Sequence, residues 1–419
     1  MRRMRRFERN ILILVSGTGV AQLLPILASP VIARLYGPAG FGYFAVATSI
    51  IGIIGVAATG KYEQALLLPD DDLKAWNLAA AALLSALFIS LMTLGVLCGF
   101  YLTGLLVPEL AWFLWVIPLG VFLYSSLQTF VSCANRLKNY KAMAQNRALQ
   151  SFVSVTIQIV VGLMFPQLGA LGLLIGFLVG HALAVALIAF RVGCVKWIEK
   201  IQLSRELIWQ QAKRYRLFPL FGMPNALANV ASRQAPNLML AFFFGAPIAG
   251  FYSMSNRLVS APLGLLGNSV GQVFFETAAR KHNQKENLSP LVSRIYKRLF
   301  LVSLIPFAVI LLYAPQLFTW VLGQEWLEAG KYAQVLIPWI MMMFLNSPVV
   351  PVLAVLERQK TQFTFEMALL VSRVSAILIG AIAFSSPYVA VCLFGGVGFV
   401  FNLFLFFYIN YLVRRPLTI

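Results

Sequence analysis

Charge is what this 419-residue sequence has least of: Asp, Glu, Lys and Arg together make up 11% of it, against about 25% in a soluble globular chain. So few charges cannot wet the surface of a soluble domain of this length, which excludes a cytosolic enzyme. Acid is scarcer still, with 14 Asp and Glu against 33 Lys and Arg. Two histidines and four widely separated cysteines (Cys98, Cys133, Cys194, Cys392), with no C-x-x-C pair, offer neither a ligand set for a metal nor a disulfide framework. No cofactor is expected.

What the sequence has instead is hydrocarbon. Apolar types make up 60% of the residues, and the mean hydropathy is +0.82. The apolar residues run in blocks as long as the ~20 residues a helix needs to cross a bilayer. The expected fold class is an all-α integral membrane protein of about 12 transmembrane helices. Reading the runs between charged or Pro/Gly breaks puts the first six near 10–33, 40–60, 76–104, 111–134, 142–165 and 168–190. The second six fall near 217–244, 247–275, 299–323, 332–356, 362–384 and 387–412.

In a soluble protein a net charge of +19 would suggest nucleic acid; in a membrane protein it is first a topology signal. With both termini placed in the cytoplasm, every basic residue except Arg34, Arg233, Arg257, Arg373 and Lys331 falls in an inner segment. The positive-inside rule therefore fits an even number of spans with both ends inside, and no nucleic-acid partner is expected. The basic opening MRRMRRFERN and the apolar run behind it read as an uncleaved first span, because the run is longer than a signal peptide's core and the next helix follows closely. The outer turns are short, as at Gly37–Gly42, Pro166–Gly169 and Gly245–Gly250. No external domain is available to hold the donor and acceptor of a membrane glycosyl polymerase, so the chain is expected to act between its helices and not as an enzyme.

Residues 37–44 read GPAGFGYF and residues 245–252 read GAPIAGFY, pairing Gly37 with Gly245 and Gly42 with Gly250 at an offset of 208. Both segments fall at the first outer turn of a six-helix half. The halves then have the same orientation and form a parallel repeat about an axis along the membrane normal, an arrangement that places a site between lobes near the midplane. The expected organisation is an N-terminal lobe over 1–190, a basic cytoplasmic linker over 191–216 and a C-terminal lobe over 217–419 around a central cationic cavity. Helices 1 and 7 are both rich in breakers, with Gly17, Gly19, Pro25 and Pro30 in one and Pro219, Pro224 and Pro236 in the other. Equivalent broken helices point to moving parts beside a site.

An intramembrane arginine costs at least ~2.5–3.5 kcal/mol to insert, so it should face a cavity or a partner. Arg233 stands in the ladder Asn225, Asn229, Arg233, Asn237, a polar residue every four positions on one helix face. Arg257 shares its face with Ser253, Ser260, Gly264 and Asn268; Arg373 lies seven residues after Glu366 on the same face; Arg34 closes helix 1 near the outer interface. For each arginine the alternative to a ligand is contact with backbone carbonyls or a carboxylate, and for Arg373 that carboxylate would be Glu366. Acid near the hydrocarbon is limited to Glu366 and Glu63, so unpaired guanidinium groups favour an anionic ligand, for which phosphate oxygens suit their forked geometry. Polar stripes on helices 1 (Thr18, Gln22, Pro25, Ser29), 4 and 5 suit either a hydrophilic cavity or helix–helix hydrogen bonds. The run Asp70, Asp71, Asp72 reads as a solvated cytoplasmic turn.

The stretch NILILVSGTGVAQLLPILASPVIARLYGPAGFGYFAVATSIIGIIGVAATGKYEQALLLPDDD resembles the N-terminal signature of Wzx-type polysaccharide-biosynthesis and O-antigen flippases, members of the multidrug/oligosaccharidyl-lipid/polysaccharide exporter superfamily. LMLAFFFGAPIAGFYSMSNRLVSAPLGLLGNSVGQVFFETAAR resembles helices 7 and 8 of the same family. The resemblance implies two six-helix lobes around a cationic cavity in a bacterial inner membrane. It implies a cargo of undecaprenyl-diphosphate-linked oligosaccharide, moved to the periplasmic leaflet by alternating access for O antigen, capsule or exopolysaccharide synthesis. Membrane lipids, a polysaccharide polymerase and a chain-length regulator are the implied partners of a monomer. The diphosphate would fall to Arg233 and Arg257, with Arg34, Lys61 and Arg373 as second choices. Gln22, Asn225, Asn229, Asn237, Asn268 and Glu366 would line the cavity, Glu366 being the one candidate for ion coupling. The alternatives are a multidrug antiporter of the same superfamily, which would want an acidic cavity, and a membrane glycosyl polymerase.

Overall fold

The computed structural model describes residues 19, 21–104, 112–193, 204–261, 268–284, 286–356 and 358–414. Among them there is no strand, and the all-α reading holds. Much of the expected first span lies outside the described residues, as do the beginning of the fourth and the middle of the eighth. Among the described residues, eight helices are long and apolar enough to cross a membrane. The first, α1 (Ser29–Ala58), joins the end of one expected span to the next across a kink at Gly37, whose φ of 60° a side chain would resist. Then come α2 (Asp72–Leu102), α3 (Phe113–Arg136), α4 (Tyr140–Met164) and α5 (Ala170–Val192). The division of residues 100–135 into two helices is therefore correct.

The basic linker holds a helix, α6 (Arg205–Arg214), which the low apolar content of that stretch had hidden. A π-helical turn over Phe218–Gly222 leads into α7 (Met223–Phe244), and α8 (Ala246–Val259) and α9 (Asn268–Asn283) follow. The next helix, α10 (Ser289–Leu322), begins ten residues before its expected start at 299, because Pro290 occupies the first turn and an alternating basic and apolar stretch continues the helix beyond the hydrocarbon. The expected helix 332–356 is α11 (Leu327–Asn346): Ser347, Pro348 and Pro351 end it, and a single turn at Val352–Val355 follows. The chain closes with α12 (Gln359–Ile382) and α13 (Pro387–Arg414).

The chain divides into two compact units: Met1–Ala28 with Tyr43–Ala235, and Ser29–Gly42 with Pro236–Ile419. The boundaries thus differ from the expected lobes of 1–190 and 217–419. The chain changes unit at Ala28/Ser29, at Gly42/Tyr43 and at Ala235/Pro236, the last 207 residues after the first and close to the 208 of the glycine repeat. The first and last changes fall in the two breaker-rich helices, the last at Pro236, which removes an i→i−4 hydrogen bond inside α7.

In the first unit, α4 packs along α5 and α2 along α3. Its basic end is built on a buried cluster that includes Leu66, Trp76, Phe130, Met143 and Val192. The acidic run there is not merely solvated: Asp71 caps α2 by accepting from the Leu73 N–H at 3.0 Å, and Asp72 pairs with Arg136 at 2.9 Å. Arg136 also donates to the carbonyls of Leu66 and Pro69. In the second unit, α11 packs against α8, α10 and α13, and α12 lies along α13. Asn346 sits in the buried core of that unit, accepting from Tyr296 Oη at 3.1 Å and donating to the Asn402 carbonyl at 2.7 Å.

Segment 29–42 is fastened to the second unit by aromatic packing and close backbone approach. Trp326, 1% exposed, donates from Nε1 to the Ala33 carbonyl and meets Phe41 edge-on at 5.4 Å. The glycine repeat reappears as a reciprocal contact: a Cβ on Gly42 would collide with the Ala246 carbonyl, and one on Gly250 with the Pro38 carbonyl. Pro38 and Ala246 are themselves separated by the repeat offset of 208.

Candidate functional site

The predicted polar ladder is real on α7. Asn225 and Arg233 are exposed and Asn229 is half-buried, at spacings of four, all within the first unit; Asn237, half-buried, continues the ladder in the second. Proline at positions 224 and 236 brackets the stretch. The Arg233 guanidinium has no ion pair or hydrogen-bond partner among the described residues. Arg257 projects from α8 of the second unit and is half-buried. Gln22 is half-buried on a helical stretch over 21–27, and Asn268 opens α9, its side chain lying outside the described residues.

The other three cations are engaged in structural contacts. Arg34 donates from Nη2 to the carbonyls of Trp320 and Val321 at 3.1 and 3.2 Å, the orphan acceptors in the last turn of α10. It is the backbone contact that the sequence left open as the alternative to a ligand. Lys61 lies 3.2 Å from Glu63, with the two side chains 12% and 7% exposed, and the Thr59 hydroxyl donates to the other Glu63 oxygen at 2.6 Å. Lys61 holds a φ of 60°, a left-handed conformation that an L side chain rarely adopts.

Arg373 is 9% exposed and stacks on two rings, 4.3 Å from the centroid of Trp339 and 4.9 Å from that of Phe394. Trp339 and Phe394 meet edge-on at 5.2 Å, as do Tyr252 and Phe394 at 5.8 Å. Gly398 leaves room for the guanidinium: a Cβ there would sit 2.8 Å from Nη2. The expected pairing with Glu366 is not made; Glu366 accepts from Gln362 at 3.2 Å, one turn earlier on α12. Cation–π stacking thus replaces the carboxylate partner. Sequence spacing could not find this cage, because Trp339, Phe394 and Tyr252 come from three different helices.

Several of these polar stripes carry helix–helix hydrogen bonds, one of the two alternatives the sequence left open. Ser125 donates to the Gly55 carbonyl, Gln158 to the Leu173 carbonyl and Ser151 to the Ala21 carbonyl. What the sequence missed is that Gln234, beside Arg233 on α7, accepts from Ser49 at 3.0 Å. Among the described residues no His, Cys, Asp and Glu cluster could hold a metal ion.

An α-helical membrane chain with an exposed, unpartnered arginine on a polar helix face can be set beside known proteins. Residues 31–331 match the family described as "Polysaccharide biosynthesis protein". The chain belongs to this family. The succinoglycan biosynthesis transport protein ExoT of Rhizobium meliloti (strain 1021) is similar to it, 24% identical over 274 residues, which cover 64% of this chain and 52% of that one. The chain therefore spans about half the length of this curated relative.

Among solved structures, this polysaccharide biosynthesis protein shares its fold with the lipid II flippase MurJ in an inward closed conformation. The TM-score is 0.73 at 14% identity, over 95% of this chain and 87% of that one. A MOP superfamily transporter from Pyrococcus furiosus, described as having a binding pocket of reverse polarity, matches at a TM-score of 0.59 and 14% identity, over 98% and 96% of the two chains. A MATE transporter in complex with MaD3S matches at 0.57 and 12%, over 96% and 94%. These likenesses show that the chain has the fold of these proteins.

Proposed function

We propose that the chain is a flippase that carries undecaprenyl-diphosphate-linked oligosaccharide repeat units from the cytoplasmic to the periplasmic leaflet for surface polysaccharide synthesis. Family membership supports the pathway. The observation that carries the reading is Arg233, an exposed guanidinium on α7, a helix expected from the sequence to be a span, free of partners among the described residues and flanked by Asn225 and Asn229. A permanent cation in that setting is expensive unless an anion comes to it. In this account Arg233 holds the diphosphate, with Arg257 as the proposed second contact, and the asparagines meet sugar hydroxyls. The polyprenyl chain stays in lipid. No bond is made or broken; two conformations with different access to one site suffice.

The reading places the chain in a bacterial inner membrane with both termini cytoplasmic, acting as a monomer. It delivers cargo to a polymerase and its chain-length regulator. Arg34, Lys61 and Arg373 move from second-choice cargo ligands to structural roles. The test is replacement of Arg233 by Ala in a strain that depends on this gene for surface polysaccharide. Export is expected to fall at least tenfold with the protein still present in the membrane at its normal level. Normal polysaccharide in that strain would overturn the site.

A further inference from the structure

The basic stretch between the last helix of the first half and α7 has a use beyond topology. In α6 the side chains of Arg205, Trp209 and Lys213 stand at i, i+4 and i+8, so at 100° per residue they share one face. All three are exposed, Trp209 at 72%, and Arg216 is exposed just past the helix end. The opposite face is held by the protein, with Gln211 buried; the Ala212 carbonyl accepts from Tyr62 Oη, and past the helix end Tyr215 and Phe218 pack on the buried cluster around Leu66 and Trp76. The chain that follows exposes Leu217 at 60%, Leu220 at 59% and Phe221 at 72%. The acid on this helix, Glu206, sits beside the face and accepts from Gln210; Arg214 turns away to lie over the Tyr215 ring at 5.6 Å.

A largely exposed Trp among three cations, leading directly into exposed Leu and Phe, is the arrangement of a helix that lies in the headgroup layer. We propose that α6 is a docking surface for anionic phospholipid. The indole of Trp209 seats among headgroups, Arg205, Lys213 and Arg216 take the phosphates, and Leu217, Leu220 and Phe221 enter the acyl region. The choice of an anionic lipid over a zwitterionic one follows from charge complementarity: the cations outnumber the one acid beside the face, and that acid is hydrogen-bonded away from it. This inference stands on the membrane reading alone and is independent of the cargo.

The test uses the full-length purified protein and native mass spectrometry, with phosphatidylglycerol and phosphatidylcholine titrated separately. Each cation beside a bilayer contributes roughly fivefold to anionic-lipid binding, so the triple variant R205Q/K213Q/R216Q should lose about 100-fold in phosphatidylglycerol affinity and little for phosphatidylcholine. The variant R294Q/K297Q/R298Q removes the same charge from exposed positions at the start of α10 and should keep the preference. W209A should weaken both lipids severalfold. Equal losses in the two triple variants, or no loss in either, would overturn the surface. So would displacement of phosphatidylglycerol by inorganic pyrophosphate, which would make α6 a site for a soluble anion. A thermal melt confirms that each variant is folded, and normal export by a variant that has lost its lipid preference leaves the proposed flippase intact.

Discussion

A guanidinium held by an indole and a phenyl face, with no carboxylate paired to it among the described residues, depends on flatness as well as charge, and Arg373 is such a group. Lysine cannot stack in the same way. Arg373→Lys is therefore expected to lower the melting temperature of the purified protein, whereas Glu366→Gln, which breaks no pairing with Arg373, should leave it within a degree or two. Gly398→Ala should also destabilise, by about 1–3 kcal/mol, since the added methyl must displace either Trp339 or the guanidinium. A melt of Glu366→Gln that falls as far as that of Arg373→Lys would show that the two residues act together.

At the scale of elements, the docked segment 29–42 is the part of the fold that single changes should release. Trp326→Ala removes a buried indole, its bond to the Ala33 carbonyl and its packing on Phe41, which costs about 3–5 kcal/mol. Limited proteolysis should then cut near residues 36–42 at protease levels that leave the wild type whole; an unchanged pattern would mean that the reciprocal glycine contact alone holds the segment. Gly250→Ala tests that contact, because its Cβ would collide with the Pro38 carbonyl, and it should sharply reduce stability. Gly95→Ala, with nothing within 4 Å, should be neutral or stabilising by up to about 1 kcal/mol.

The same elements show what the sequence could reveal. Apolar block length located the spans of α2 to α5, α12 and α13 to within several residues, because a membrane helix must satisfy its backbone internally and must be apolar along its whole length. The repeat was visible because close approach demands glycine at Gly42 and Gly250. Helix α6 escaped because its polar composition gives no hydrocarbon signal. The kink at Gly37 that joins two expected helices, and the transfer of 29–42 to the second unit, depend on contacts with residues almost 300 positions away. In the candidate site, spacing was enough to find the ladder on α7. It could not separate Arg233, which stands open, from Arg373 and Arg34, whose partners lie on distant helices or on backbone carbonyls.

For the whole molecule, the proposed function is that a chain with many cations and little acid presents a guanidinium on the polar face of α7 and uses it to carry a lipid-linked diphosphate across. The multidrug reading would require an acidic site, and among the described residues the one buried acid, Glu63, is paired with Lys61. The most direct measurement follows the cargo itself. Membrane vesicles of known orientation from a strain lacking this gene are probed with a sugar-oxidising reagent that cannot cross the bilayer. The account predicts that lipid-linked oligosaccharide accumulates on the cytoplasmic face, that the wild-type gene restores its passage, and that Arg233→Ala does not. Passage to the outer face in the deletion strain, with short or unjoined chains, would contradict a flippase and place the protein at a later step of polysaccharide assembly.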